Sequence, residues 1–146
     1  MKIRDIMTQD VKTVLPSDTI EKAARWMDEL NVGVLPVIDG EKLVGMITDR
    51  DITVWATSVG KNPTECQVGE IMTTEVRVCF DDDNVEEAAQ RMRVAQIRRL
   101  PVVNRDGQFI GIVSLGDLAT GSDRQSTIAL TLDRISTPSE PDRSGP

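Results

Sequence analysis

The sequence predicts an α+β fold made of two tandem β-α-β-β-α repeats packed with pseudo-twofold symmetry. Three observations predict it. A long stretch of the chain repeats itself at an offset of 65 residues. Each copy carries an apolar stripe at helical spacing, followed by β-branched runs. In each copy an Asp-Gly pair separates two such runs, which is a strong short-range hairpin signal.

The repeat is the primary signal, because self-similarity reorganises every other reading. Asp5-Ile6-Met7-Thr8 recurs as Glu70-Ile71-Met72-Thr73. Asp18, Glu21 and Ala23-Ala24 recur as Asp83, Glu86 and Ala88-Ala89, and Leu35-Pro36-Val37 recurs as Leu100-Pro101-Val102. From Asp5 to Asp39, 12 of 35 aligned pairs are identical, against about two expected by chance for ordinary composition. One residue is inserted in the second turn. Thereafter Gly45 matches Gly111, Thr48 matches Ser114 and Asp51 matches Asp117.

The first strand of each copy is expected at Val11–Leu15 and Val76–Phe80. A helix follows, announced by Asp18 with Glu21 and by Asp83 with Glu86, a spacing close to a capping box. Its apolar stripe is Ile20, Ala23, Ala24 and Met27 in one copy and Val85, Ala88, Ala89 and Met92 in the other, the i, i+3, i+4, i+7 pattern of one buried face. The hairpin strands are Val34–Ile38 with Leu43–Ile47, and Leu100–Val103 with Phe109–Val113. The proline inside each first strand implies a nitrogen that faces no ladder partner. A second helix begins at Thr48 or Ser114. In copy one its apolar face is Ile52, Trp55, Ala56 and Val59.

The repeats occupy residues 1–60 and 61–122, together one module, with a tail over 123–146. A unit of about 55 residues is marginal alone, so the two are expected to share one core. In the tail, Ile128, Leu130, Leu132 and Ile135 suit a short helix or extended segment. Residues 137–146, rich in Pro, Ser and charge, read as disordered.

Composition narrows the function. Apolar residues make up 39% and aromatics 3%, so the core must be aliphatic. Net charge is −7, opposite to the basic excess of a nucleic-acid binder. No apolar run reaches the length of a membrane span. Met1–Asp5 opens no apolar signal segment, so a cytoplasmic protein is expected. There is no histidine, the commonest general base and metal ligand. Cys66 and Cys79 lack metal-site spacing and read as reduced thiols. No catalytic group, metal site or required cofactor is expected.

The motif set Ile-Met-Thr, Asp-x-x-Glu-x-Ala-Ala, Leu-Pro-Val and Gly-Met-Ile-Thr-x-x-Asp, present twice in the same order over about 120 residues, resembles the tandem CBS-domain pair, or Bateman module. That resemblance implies a stand-alone regulatory module with two clefts between the repeats. It implies an adenosine derivative as regulatory ligand: AMP, ADP, ATP, S-adenosylmethionine or an NAD-type dinucleotide. It also implies a homodimer that acts on a separate, unidentified partner protein.

Candidate ligand residues follow. Thr48 with Asp51, and Ser114 with Asp117, are first of all helix caps. A helix start also suits phosphate, and a carboxylate can accept both ribose hydroxyls. The resemblance assigns the adenine slot to Thr8, Val32 and Gly33, grouped with Ser114 and Asp117, and to Thr73, Ile97 and Arg98, grouped with Thr48 and Asp51. Val32 and Ile97 also read as plain core residues. Arg50, Arg98 and Arg99 are phosphate candidates, because arginine suits bidentate phosphate contacts, and so are Lys12 and Arg77. The Thr48–Asp51 cleft is the richer in charge. The acidic run Asp81-Asp82-Asp83 reads as helix-dipole complementation and solvation, with magnesium contact as the sharper alternative. Trp26 and Trp55 read equally as core or as dimer contacts. The competing function is a dimerising interaction module that binds no small molecule.

Overall fold

The computed structural model describes residues 1–121; the elements expected around Ile128–Ile135 and from residue 137 onward lie outside them. The chain divides into two compact units that do not follow the sequence repeats. The first unit is Lys12–Val76; the second joins Met1–Val11 to residues 77–121. Each copy therefore contributes its leading Ile-Met-Thr segment to the unit built on the other copy.

In the first unit, α1 (Ile20–Leu30) leads into β1 (Val34–Asp39) and β2 (Lys42–Thr48), an antiparallel pair. Gly40, the first of the two residues between them, has φ +65°, a conformation glycine adopts without a Cβ penalty. The short helix α2 (Asp49–Asp51) then passes into a π-helical turn, Ile52–Ala56, and a 3-10 turn, Thr57–Val59. The returning helix α3 (Val68–Ile71) closes the unit. In the second unit, β3 (Cys79–Phe80), α4 (Val85–Ala95), β4 (Arg99–Val103), β5 (Phe109–Ser114) and α5 (Leu115–Gly121) follow in order. The three strands form one sheet, β3 parallel and β5 antiparallel to β4.

The predicted helix starts are one residue early. The caps are Thr19 and Asn84, whose side chains accept the Lys22 and Glu87 amides at 3.2 and 3.1 Å. Asp18 and Asp83 instead close the turn before the helix, accepting the Leu15 and Phe80 amides at 2.8 and 2.9 Å. A short polar side chain competes for the nearest free N–H groups, and here the turn takes the aspartate.

The predicted first strand is much shorter than five residues. In copy one only Val14 pairs, in parallel with Val37. Pro16 explains the difference from copy two. It stands where copy two has Asp81, whose amide donates to the Val103 carbonyl at 3.1 Å, a bond proline cannot make. The prolines inside β1 and β4 behave as their chemistry requires. Pro36 lies opposite Met46, whose N–H and C=O both turn away to Thr73, so the missing donor at Pro36 costs no ladder bond.

The aliphatic residues form two core clusters, one in each unit, rather than one shared core. In the first, Val14, Ile20, Ala23, Met27, Leu35, Val37 and Ile47 pack with Val68 and Ile71 of the returning segment. In the second, Val85, Ala88, Ala89, Met92, Leu100 and Leu118 pack with Ile3. Ile3 and Val68 are wholly buried, and each such side chain contributes about 2 kcal/mol. The exchanged leading segments thus complete cores that a single repeat would leave open.

Ala24 is exposed, although the stripe places it inward with Ala23. Its counterpart Ala89 is buried and shares its core with Leu118 of α5. Trp55 and Val59 are also exposed, at 60% and 64%. The π turn at Ile52–Ala56 takes more residues per turn than the α-helical spacing assumes, so the expected face is already broken within it: Trp55 turns outward while Ala56 is buried.

The acidic run stays partly exposed at Asp81 and Asp82 and carries arginine partners. Arg105 holds Asp82 with two bonds, at 2.7 and 3.1 Å, and stacks 4.0 Å from the Phe80 ring. That guanidinium holds the Asp82 carboxyl below the usual carboxylate range. Asp83 is buried, with Arg91 and Arg105 each at 3.9 Å, and Arg4 lies 4.0 Å from Asp81.

Candidate functional site

The two units present the same local construction at the end of their last hairpin strand. In the first unit, β2 ends at Thr48 with extended backbone, and its hydroxyl accepts the Asp51 amide at 2.9 Å. Asp51 answers by accepting the Thr48 amide at 3.1 Å. In the second unit, Ser114 accepts the Asp117 amide at 3.2 Å, and Asp117 accepts the Ser114 amide at 2.8 Å. Each cap satisfies two free backbone donors with one hydroxyl and one carboxylate. The capping reading of Thr48 and Ser114 is therefore correct.

Asp51 is 7% exposed and Asp117 is half-buried. Asp51 has a further partner. The Thr73 hydroxyl donates to its carboxylate, 3.2 Å from one oxygen and 3.4 Å from the other. Thr73 is held there by its backbone, which exchanges two 2.9 Å hydrogen bonds with Met46 on β2. Thr8 makes the same exchange with Ile112 on β5, at 2.8 and 3.0 Å. A glycine permits each crossing. A Cβ on Gly45 would lie 2.8 Å from the Thr73 carbonyl oxygen, and one on Gly111 would lie 2.6 Å from that of Thr8.

The structure thus brings Thr48, Asp51 and Thr73 together in one unit, and Thr8 beside β5, near Ser114, in the other. Gly33 is buried, and its carbonyl accepts the Asp49 amide at 3.0 Å, which ties it to the helix start of its own copy. The Arg98 carbonyl likewise accepts the Leu115 amide at 3.0 Å. These bonds attach each residue to the cap of its own copy, whereas the resemblance groups it with the cap of the other. Val32 and Ile97 are partly buried against their respective cores. Arg50, Arg77, Arg98 and Arg99 are exposed.

Lys12 is engaged elsewhere: its ammonium lies 3.9 Å from the centroid of the Trp26 ring, a cation–π contact. Trp26 itself packs on the first core cluster. Gly45 and Gly111 shape the site by admitting the Thr73 and Thr8 backbones. Their equivalence within the repeat was visible in the sequence, but a crossing strand was not. Among the described residues, no group of three or more His, Cys, Asp or Glu side chains could hold a metal ion. No helix there is long and apolar enough to cross a membrane.

The CBS domain family model matches residues 3–57 and 68–122. CBS domain-containing protein YhcV of Bacillus subtilis is 40% identical over 134 residues, covering 92% of this chain and 94% of YhcV. The crystal structure of Hypoxic Response Protein I with two coordinated zinc ions superposes with a TM-score of 0.75 at 32% identity, covering 84% of this chain and 99% of that one. The crystal structure of CBSX2 in complex with AMP superposes with a TM-score of 0.69 at 32% identity, covering 82% and 93%. Two matched domains, duplicated caps and full-length relatives lead to one conclusion: the chain belongs to the CBS domain family, as a tandem pair.

Proposed function

We propose that this CBS pair is a regulatory module that senses an adenosine derivative, catalyses nothing, and acts on a separate partner protein in the cytoplasm. The observation that carries the reading is the buried Asp51 carboxylate, held at a helix start by the Thr48 amide and the Thr73 hydroxyl. A carboxylate so placed suits the paired hydroxyls of a ribose. Arg50, exposed and next in sequence, supplies charge for phosphate. CBSX2, a relative of similar fold, is known in complex with AMP, which supports an adenine nucleotide as the class of ligand. The same construction at Asp117 offers a second position. Trp55 and Val59, both exposed, are the apolar surface that a homodimer would bury, and sedimentation of Trp55→Glu against the wild type reads this directly.

Thermal unfolding against a ligand panel tests the sensor reading. The panel is AMP, ADP, ATP with and without magnesium, S-adenosylmethionine, NAD and NADH, with GTP as control. A ligand at 100 times its Kd stabilises the fold by about 2.7 kcal/mol, or several degrees. A shift from one adenine compound that disappears in Asp51→Ala is the expected result. No shift from any of them at millimolar concentration rejects the adenosine ligand and leaves a protein-interaction module.

A further inference from the structure

Asp51 is not an idle acceptor. Its carboxylate already receives the Thr73 hydroxyl, and the Thr73–Met46 pair is the last backbone hydrogen bonding of the returning segment within the first unit. Upstream, α3 is anchored by buried Val68 and Ile71. At Thr73 the segment pairs with β2 through a single isolated bridge to Met46. Beyond it, residues 74–77 have no regular structure, and the second unit takes over at residue 77. A single bridge is a weak tie, since it lacks the neighbouring ladder bonds that make a strand cooperative. Its side-chain bond to a carboxylate is of the stronger class of hydrogen bond.

We propose that Thr73 is a latch whose hydroxyl holds the connecting segment on β2 while Asp51 is free, and that a ligand taking both Asp51 oxygens releases it. This rests on the reading of Asp51 as a ligand acceptor. The physical consequence is local. The nearer oxygen already takes both the Thr48 amide and the Thr73 hydroxyl, which fills its two lone pairs, so a ribose that donates to both oxygens competes with the hydroxyl for that one. Once displaced, the Met46–Thr73 bridge stands on two backbone bonds. The unanchored connector between the units then lengthens from residues 74–76 back towards Met72, where the Sδ atom packs on Gly45. Ligand occupancy is thereby converted into slack in the link between the two domains. Thr73 acts as a positioning residue in this device.

Amide hydrogen exchange of the full chain, with AMP as probe, tests it in two arms. Without ligand, Thr73→Val speeds exchange of the Met46 amide about tenfold, the loss of roughly one charge-assisted hydrogen bond. Thr73→Ser restores it, and α1 is unchanged in both. A folded Thr73→Val chain with wild-type exchange at Met46 overturns the latch. If Thr73→Val does not fold, Asp51→Asn takes its place, with faster exchange expected and unchanged exchange overturning it. With AMP bound, wild-type Met46 exchanges faster, opposite to the protection that binding ordinarily gives, and Thr73→Val shows no further change. Bound AMP with protection or no change at Met46 overturns the release while leaving the sensor reading intact. If AMP does not bind, the panel compound that raises the melting temperature replaces it as probe; if none binds, the sensor reading and the release fall together, and the arm without ligand still judges the latch.

Discussion

The two domains are built from one repeated pattern, yet their hairpin ends differ in how firmly they are held. In the first unit the turn before α1 contains Pro16, and Asp18 pairs with Lys22 one helical turn away. In the second, Asp81 restores a strand bond, while Arg105 clamps Asp82 and covers Phe80. The site end shows the opposite balance. The first unit buries its aspartate at 7% exposure, whereas the second leaves Asp117 half-buried. Duplication preserved the backbone plan, and the side chains then specialised, one unit in its acidic turn and the other in its carboxylate.

The sharpest way to break the comparison is at the two crossing glycines. Gly45→Ala and Gly111→Ala each place a methyl group against a carbonyl oxygen that is itself hydrogen-bonded in the bridge. Overpacking of this kind costs about 2 kcal/mol. Gly111→Ala is expected to cost more, because its contact is 2.6 Å rather than 2.8 Å. Urea midpoints of the two variants against the wild type check the order, and equal midpoints would mean that one crossing segment gives way easily.

The aspartates come next. Asp51→Ala removes a cap and takes the acceptor from the part-buried Thr48 amide and Thr73 hydroxyl, at a cost of about 2 kcal/mol; Asp117→Ala, at a less buried cap, costs about 1 kcal/mol. Equal losses in chemical denaturation would remove the asymmetry claimed for the site.

The thiols give the smallest effect. Burial in the second core pushes the Cys79 thiol up to about 12, with Asp83 adding to it. Burial also raises Cys66 in the first unit, with Glu70 adding to it. Cys79 is therefore expected to resist alkylation at pH 8 until the chain unfolds, because the thiolate is the reactive form. The sign of the pH dependence follows. A thiol kept protonated in the fold contributes stability that is complete below its ordinary value near 9 and is lost as pH rises through about 12. Cys79→Ala is expected to flatten that alkaline decline, as read by melting temperature across pH.

Periodicity and turn chemistry carried most of the elements. The stripe through Ile20, Ala23 and Met27, the glycine turn at Gly40 and the hydroxyl caps at Thr48 and Ser114 are local features. Their causes lie within a few residues of one another. The errors lie where another group competed or the helix left α geometry. Asp18 and Asp83 left the helix caps because turn amides were nearer. Trp55 left the predicted face because the helix wound wider. Lys12 found the Trp26 ring.

By itself the sequence determined the duplication, the α+β order of each copy and the residues able to cap and to accept a ligand, because these follow from spacing and side-chain chemistry. Only the tertiary structure decided that each copy lends its Ile-Met-Thr segment to the other's core, and that Thr73 thereby meets Asp51. The reason is that a 55-residue repeat leaves apolar surface uncovered. Which segment covers it depends on the path of the whole chain, which no local pattern records.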